Sequence, residues 1–447
     1  MMIYVNWKRL SITLLEDLDL KFLVNASTLS GKATIPGNKS GTARGLVFGS
    51  LAEGTTILKN PLTNLDSYSI VKMMRALGAS IDTSKDSEWI ITGTGGALVV
   101  PACVLDAENS GTGFYFVLAL CSLIPGYSVL TGDYQICYRP AQPMIDAINT
   151  LGGEAFSTRG IGTAPVVVKG PIRGGEISFP GVNSQWMTPF LCACALAQGD
   201  TLIRETDLLE RPYVDMTIGM LQRAGIVVEN RNYEEFFIRG NQKFKPFTYT
   251  LPGDWGSSGY PMIATAITKG SKVTFNGLDL GDFAGETAFV KILKDMGASV
   301  TVTDNGRGGI TVEGGATLQG IHIDCSGTPD AVPILAVLGC YAQGKTVLEN
   351  IGACRLKETD RAKSIKEELT KMGAHFEETR DSLTIFHSPL HGAVLSGHHD
   401  HRIVMATTVA ALIAEGQSEI EDAEYAAVSF PNFHELMTML HADIKRI

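Results

Sequence analysis

Six times along the chain a small-residue helix end, a glycine and a short β-like run return together. They read LAEGTTIL from Leu51, LIPGYSVL from Leu123, LAQGDTLI from Leu196, ITKGSKVT from Ile267, YAQGKTVL from Tyr341 and IAEGQSEI from Ile413. Their glycines, 54, 126, 199, 270, 344 and 416, are separated by 72, 73, 71, 74 and 72 residues. A period so regular along the chain means one folding unit used six times.

A second phrase follows the first in each unit. It is an amphipathic helix closed by glycine and then a β run, as in MMRALGASI around Gly78, INTLGGEAF around Gly152, MLQRAGIVVE around Gly225, ILKDMGASVT around Gly297 and ELTKMGAHFE around Gly373. Glycine stands where a left-handed C-cap belongs. The sixth unit has a second helix, 432–440, with no such glycine. The first helix of each unit (41–52, 111–123, 184–197, 257–268, 329–343, 402–414) is rich in Ala and Gly and small on most faces, so close packing and burial are expected. One unit reads helix–strand–helix–strand with further short strands, an α/β pattern. For 447 residues this favours two domains of three units. Pro-Gly segments before a first helix, IPGN at 35–38 and LPGDW at 251–255, are the expected hinges. They give domain I as 1–37 plus 255–447 and domain II as 38–254.

Composition excludes several classes. A net charge of −10 argues against a nucleic-acid partner, which needs a basic face. A locally positive cleft for a small anion remains compatible with it. The eight cysteines form no CxxC pair and several lie in apolar runs, so they are expected as buried thiols of a cytoplasmic protein rather than disulfides or metal ligands. The first twenty residues lack an unbroken apolar core of signal-peptide length. The longest apolar runs, such as 331–342, are too short to span a bilayer.

The polar residues that the repeat does not need carry the functional signal. PGNKSGTARG at 36–45 feeds a helix N-terminus, which presents free N–H groups and a positive dipole end to an anion, with Lys39 and Arg44 adding charge. Related openings recur at ENSGTG (108–113), NSQ (183–185), TPD (328–330) and HHDHR (398–402), as expected if these N-termini converge on a polar cleft. RLKETDR at 355–361 crowds Arg355, Lys357, Glu358, Asp360 and Arg361 into seven positions. Such a run is commonly a solvated face, but its place after the β run TVLENI suits a helix N-terminus at that cleft. Asp330 is either a simple cap or a general base for a hydroxyl within reach. No HExxH and no nucleotide fingerprint is present.

Taken together, PGNKSGTAR, ENSGTG, YRP (138–140), NSQ, RPYVD (211–215), GD (253–254), PDA, LKETDR and DHR resemble the enolpyruvyl transferase family. The resemblance is closest to its 5-enolpyruvylshikimate-3-phosphate synthase (3-phosphoshikimate 1-carboxyvinyltransferase) branch, and it covers nearly the whole chain. It implies a two-domain inside-out α/β barrel, each domain built of three βαβαββ repeats, closing on substrates at the interface. The implied reaction moves the enolpyruvyl group of phosphoenolpyruvate to the 5-hydroxyl of 3-phosphoshikimate, releases phosphate, and uses no metal or organic cofactor. It also implies a cytoplasmic monomer of aromatic amino acid biosynthesis with no membrane or nucleic-acid partner. Lys39, Gly111, Arg139, Gln185, Arg361 and Arg402 resemble the phosphoenolpyruvate-binding residues. Ser40, Arg44, Asn183, Ser184, Gln185, Tyr213, Asp330 and Lys357 resemble the acceptor-binding ones. Lys39, Asp330 as base and Glu358 as proton shuttle resemble the catalytic set.

Five positions depart from the family pattern. Tyr115 and Val428 stand at usually cationic places, Glu210 and Asn183 where serines are usual, and Ala353 where asparagine is usual. A carboxylate facing a phosphate at contact is repulsive by about 1–4 kcal/mol in a partly wet site. Glu210 is therefore expected to point away or to pair with Arg211; otherwise 3-phosphoshikimate is a poor acceptor. The departures leave open the same transfer to another hydroxyl acceptor, or a non-catalytic ligand-binding paralogue.

Overall fold

A computed structural model describes residues 19–447 except Val182 and Asp207. The chain divides into two compact units. One is built on Gly37–Leu251, the other on Pro252–Ile447 with the segment that ends at Pro36. Residues 1–18 of the expected first segment lie outside the described residues.

Among the described residues there are six four-stranded sheets, one per repeat. In each, one pair of strands is parallel and two pairs are antiparallel. In four of them the first helix of the repeat is the crossover between the parallel strands. The plainest case runs strand His322–Asp324, helix Val332–Tyr341, strand Lys345–Glu349, helix Arg361–Lys371 and strands His375–Glu378 and Ser382–Phe386, giving strand–helix–strand–helix–strand–strand. The repeats starting at Leu105 and Glu176 follow the same order.

Three sheets are completed by strands from distant parts of the chain. Ser30–Thr34 pairs in parallel with Lys272–Asn276, and Thr248–Thr250 with Thr55–Lys59. Each therefore sits where the opening strand of a repeat belongs, yet the chain continues from it into the other unit. Phe22–Val24 lies between Ser418–Ile420 and Ile444–Arg446.

The first helices are buried on all sides, as their small residues require. Every residue of Trp255–Ile267 is buried, and so is all but the first two of Lys39–Leu51. The second helices keep one wet face and end in a left-handed residue. Gly78, Gly152, Gly225, Gly297 and Gly373 have φ between +80° and +107°. In the sixth repeat His441 takes the same conformation at φ +72°. Observed first helices begin up to two residues earlier than the sequence suggests, except after Thr328. There a 3-10 turn, Pro329–Ala331, comes first and the helix starts at Val332. Among the described residues no helix is long and apolar enough to cross a membrane. All eight cysteines are free thiols.

Candidate active site

Within the Pro252–Ile447 unit, three first helices present their N-terminal ends to one another. Arg402, second residue of helix His401–Ala411, donates through Nη1 to the carbonyl of Gly256 in the first turn of Trp255–Ile267 at 2.9 Å. Its Nη2 lies 3.5 Å from Asp330 Oδ2, beside the start of Val332–Tyr341. Arg361, first residue of Arg361–Lys371, joins the same group.

Arg361 is the hub. Its side chain is 1% exposed, and its planar fork serves three carboxylates at once. Nη1 donates to Asp330 Oδ1 at 2.9 Å, Nε to Asp400 Oδ2 at 2.9 Å, and Nη2 to Asp400 Oδ1 at 3.2 Å and to Glu358 Oε2. Lys357 Nζ stands 3.7 Å from Asp330 Oδ1. Lys357, Arg361 and Arg402 thus face Asp330, Glu358 and Asp400, three charges of each sign. Buried ions persist only when such pairing and hydrogen bonding repay their desolvation.

The electrostatics follow. Burial alone would raise Asp330, but the charges of Lys357, Arg361 and Arg402 outweigh it and hold the carboxyl far below the usual carboxylate range. Burial would lower Arg361, yet Asp400, Glu358 and Asp330 keep its proton bound even more firmly than usual. Burial pushes the Tyr260 hydroxyl up to about 12. The Arg402 guanidinium lies 5.9 Å from the centroid of that ring. Arg402 Nε is buried without a hydrogen-bond partner among the described residues.

Supporting residues went unrecognised in the sequence. Asp400 was legible only as part of DHR. Its carboxylate both caps the helix, accepting from Arg402 N at 2.8 Å, and grips Arg361. Thr359 Oγ1 donates to it at 3.0 Å. Arg355 is not at the site: it braces the turn through Asp360, Glu378 and the carbonyls of Thr379 and Arg380. That brace presents Lys357 and Glu358 ahead of the helix.

The Gly37–Leu251 unit holds the remaining candidates, several of them at the starts of its own first helices. Lys39, Ser40, Asp66, Ser67, Ser110 and Thr112 line a small cavity. Lys39 Nζ pairs with Asp66 Oδ2 at 3.1 Å, a partner the sequence did not suggest. Gln185 Nε2 donates to Thr112 Oγ1 at 3.0 Å, and Gln185 N to Asn183 Oδ1 at 3.0 Å. Arg139 lies against Gly111 so closely that a Cβ there would sit 2.1 Å from Nη1. Only glycine admits the guanidinium to that helix start. Arg44 is buried, with Nε on Thr217 Oγ1 at 2.8 Å, Nη1 on the Ser40 carbonyl at 3.1 Å and Nη2 on the Tyr213 carbonyl at 3.4 Å. Burial lowers its guanidinium to about 10, partly offset by Tyr213 and Glu210, so it stays charged at neutral pH.

The departures also find places. Tyr115 is 1% exposed and donates its hydroxyl to the Pro140 carbonyl at 2.9 Å. Trp186 Nε1 shares that carbonyl at 3.0 Å. Together they fix the turn that carries Arg139, so the tyrosine replaces a charge with a brace. Val428 is buried in the turn Ala423–Val428, and Ala353 is buried too. Glu210 does not point away, and the neighbouring Arg211 guanidinium stacks over Tyr233 at 5.0 Å. The Glu210 carboxylate accepts from Ser184 N at 3.0 Å and Ser184 Oγ at 2.8 Å, at the start of helix Ser184–Leu196. It thus takes up the helix-start donors of Ser184, a residue that the sequence resemblance expects at the acceptor.

Comparison with known proteins agrees with this architecture. The family model described as EPSP synthase (3-phosphoshikimate 1-carboxyvinyltransferase) matches residues 24–437. A 3-phosphoshikimate 1-carboxyvinyltransferase of Ruminiclostridium cellulolyticum is 42% identical, covering 92% of this chain and 96% of its own. One from Acetivibrio thermocellus is 43% identical, covering 94% and 98%. Among solved structures, an EPSP synthase from Acinetobacter baumannii aligns with a TM-score of 0.82 at 30% identity, over 96% of this chain and 100% of the other. The enolpyruvyl transferase NikO of Streptomyces tendae aligns at 0.76 and 18% identity over 96% and 99%, a likeness of fold. The chain belongs to the EPSP synthase family.

Proposed function

We propose that the protein transfers the enolpyruvyl group of phosphoenolpyruvate to the 5-hydroxyl of 3-phosphoshikimate with release of phosphate, a step of aromatic amino acid biosynthesis. The observation that carries the reading is Asp330. It is a carboxylate held ionised among Lys357, Arg361 and Arg402, at helix starts where anions bind.

Arg361 and Arg402 bind the carboxylate of phosphoenolpyruvate, the free Nε donor of Arg402 being available to it. Lys39, Arg139, Gln185 and the Gly111 helix start take its phosphate, and Ser40, Arg44, Asn183, Ser184, Tyr213 and Lys357 hold the acceptor. Asp330 takes the proton of the attacking hydroxyl, whose oxygen bonds to C2 of phosphoenolpyruvate. Glu358, which takes up a proton from solvent once the substrate carboxylate displaces it on Arg361, delivers that proton to the methylene carbon. The tetrahedral ketal then loses phosphate from C2 and a proton from the methyl group, restoring the double bond as an enol ether. In the cation cluster Asp330 is ionised but weakly basic. Anionic substrates that draw Arg361, Arg402 and Lys357 onto themselves raise its basicity at the moment it is needed. Eight free cysteines agree with a cytoplasmic setting, and we take the enzyme to act as a monomer without a cofactor.

The test is phosphate release from phosphoenolpyruvate in the presence of 3-phosphoshikimate, with Asp330→Asn and Glu358→Gln each expected to slow it at least ~10²-fold, the usual size of an acid–base contribution. No release would overturn the reading. One observation favours a second acceptor: Glu210 already fills the Ser184 seat with negative charge. Release with another alcohol and not with 3-phosphoshikimate would select it.

A further inference from the structure

The loop that ends in Asp400 is held in a costly conformation. His398 and His399 both have φ +53°, and each non-glycine residue in the left-handed region needs surrounding contacts to keep it there. Gly397 has no room for a Cβ, which would lie 2.4 Å from Val404 Cγ2. The contacts come from two sides. On one, Glu368 is 1% exposed and takes His398 Nε2 at 2.7 Å on Oε1 and Ser396 N at 2.9 Å on Oε2. On the other, Asp422 Oδ2 accepts from His399 N and from Ser396 Oγ, both at 3.4 Å. His399 meets Tyr425 edge to face, with centroids 4.9 Å apart.

Glu368 belongs to helix Arg361–Lys371, seven residues after Arg361 and therefore on the same face. One helix thus grips this loop twice, through Arg361 on Asp400 and through Glu368 on His398. We propose that the His398–Glu368 pair is a latch that positions Asp400, and through it Arg361 and Arg402, so that affinity for the carboxylate of phosphoenolpyruvate depends on the protonation of His398. This rests on the anion-binding role given above to Arg361 and Arg402.

The groups facing His398 are known. Glu368, Glu367 and Lys371 come from the helix Arg361–Lys371, and Lys371 Nζ is itself 2.7 Å from Glu368 Oε2. Asp422 reaches the loop through Ser396 and His399. The hydrogen bond to Glu368 raises the His398 proton affinity above that of an ordinary imidazole. The charged latch is present below that raised value and lost as pH rises through it. The ion pair then becomes a neutral imidazole hydrogen-bonded to a carboxylate, and the attraction between opposite charges is lost.

The experiment compares phosphoenolpyruvate affinity of the wild type, His398→Gln and Glu368→Gln from pH 5.5 to 9. Ratios of variant to wild type are used, so that ionisation of the substrate cancels. The expected ratio for His398→Gln is three- to tenfold weaker binding at pH 5.5, falling to within twofold at pH 9, with thermal stability in both held as a separate readout. A ratio that does not change with pH overturns the latch. A second measurement needs no ligand: the Arg361 Nε–H resonance should shift with the titration of His398 in the wild type and stay still in His398→Gln. An Arg361 signal that ignores pH also overturns it. Failure of any protein to bind phosphoenolpyruvate would instead refute the proposed function and leave the resonance to judge the latch.

Discussion

Glu205 should limit the stability of the Gly37–Leu251 unit at neutral and alkaline pH. It lies on strand Thr201–Thr206, opposite Phe179 in the parallel register, with its side chain on the buried face. It is 5% exposed, and neither carboxylate oxygen has a partner among the described residues. Burial pushes its pKa from 4.5 up to about 8. Below pH 4.5 folded and unfolded chains both carry the proton, and the group costs nothing through charge. Between 4.5 and about 8 the unfolded chain releases it while the folded one does not, so stability falls as pH rises; above about 8 the loss is complete. A displacement from 4.5 to about 8 corresponds to about 5 kcal/mol, an upper bound once the site relaxes. Glu205→Gln removes the titration and Glu205→Leu removes the unpartnered oxygens as well. Relative to wild type, both should gain little at pH 4.5 and about 2–5 kcal/mol at pH 8. That gain raises the midpoint of thermal unfolding by about 4–20 °C for a unit of this size. Circular dichroism melts at pH 4.5, 6, 7 and 8 measure it. A gain that is the same at every pH would mean that packing and not charge is responsible. No gain at pH 8 would mean that the carboxylate finds solvation or a partner, and the reasoning fails.

Arg361→Lys should lose nearly all turnover and about 3–5 kcal/mol of stability, because an ammonium cannot serve three carboxylates and leaves Asp400 buried and unpaired; melts and phosphate-release assays report both, and a stable, active variant would refute the hub. Gly111→Ala places a methyl against Arg139 and should weaken phosphoenolpyruvate binding at least about tenfold (1.4 kcal/mol), read by calorimetry. Glu210→Ser frees Ser184 N and Oγ and should lower the KM for 3-phosphoshikimate; an unchanged or higher value would show that Glu210 is spectator to the acceptor.

How far the sequence speaks differs from place to place. The second phrase of each repeat is legible because each second helix needs a left-handed end, which Gly78, Gly152, Gly225, Gly297 and Gly373 supply. Where another residue accepts that conformation, as His441 does, the signal vanishes. The strand exchange was not legible. Ser30–Thr34 and Thr248–Thr250 are too short and ordinary to declare a partner some two hundred residues away, and pairing is settled by packing of whole units. At the site, the cations and carboxylates of KETDR and DHR stand out because a repeat has no use for them. Asp400 hid behind a simpler role, since a capping aspartate and a buried ion-pair partner look alike in sequence. Glu210 was recognised as an intruder, but only coordinates reveal that its carboxylate turns onto Ser184.

The exchanged strands also set an order for biosynthesis. Phe22–Val24 and Ser30–Thr34 leave the ribosome early, yet their sheet neighbours begin at Lys272, Ser418 and Ile444. At ordinary translation speeds the wait for Lys272 alone is about 10–50 s. Through that interval two nascent strands have open edges and no mates, while the whole Gly37–Leu251 unit emerges and can close around its own core. The half of the molecule bearing Asp330 and Arg361 is thus the last to be completed, and its earliest segments are the natural clients of a chaperone.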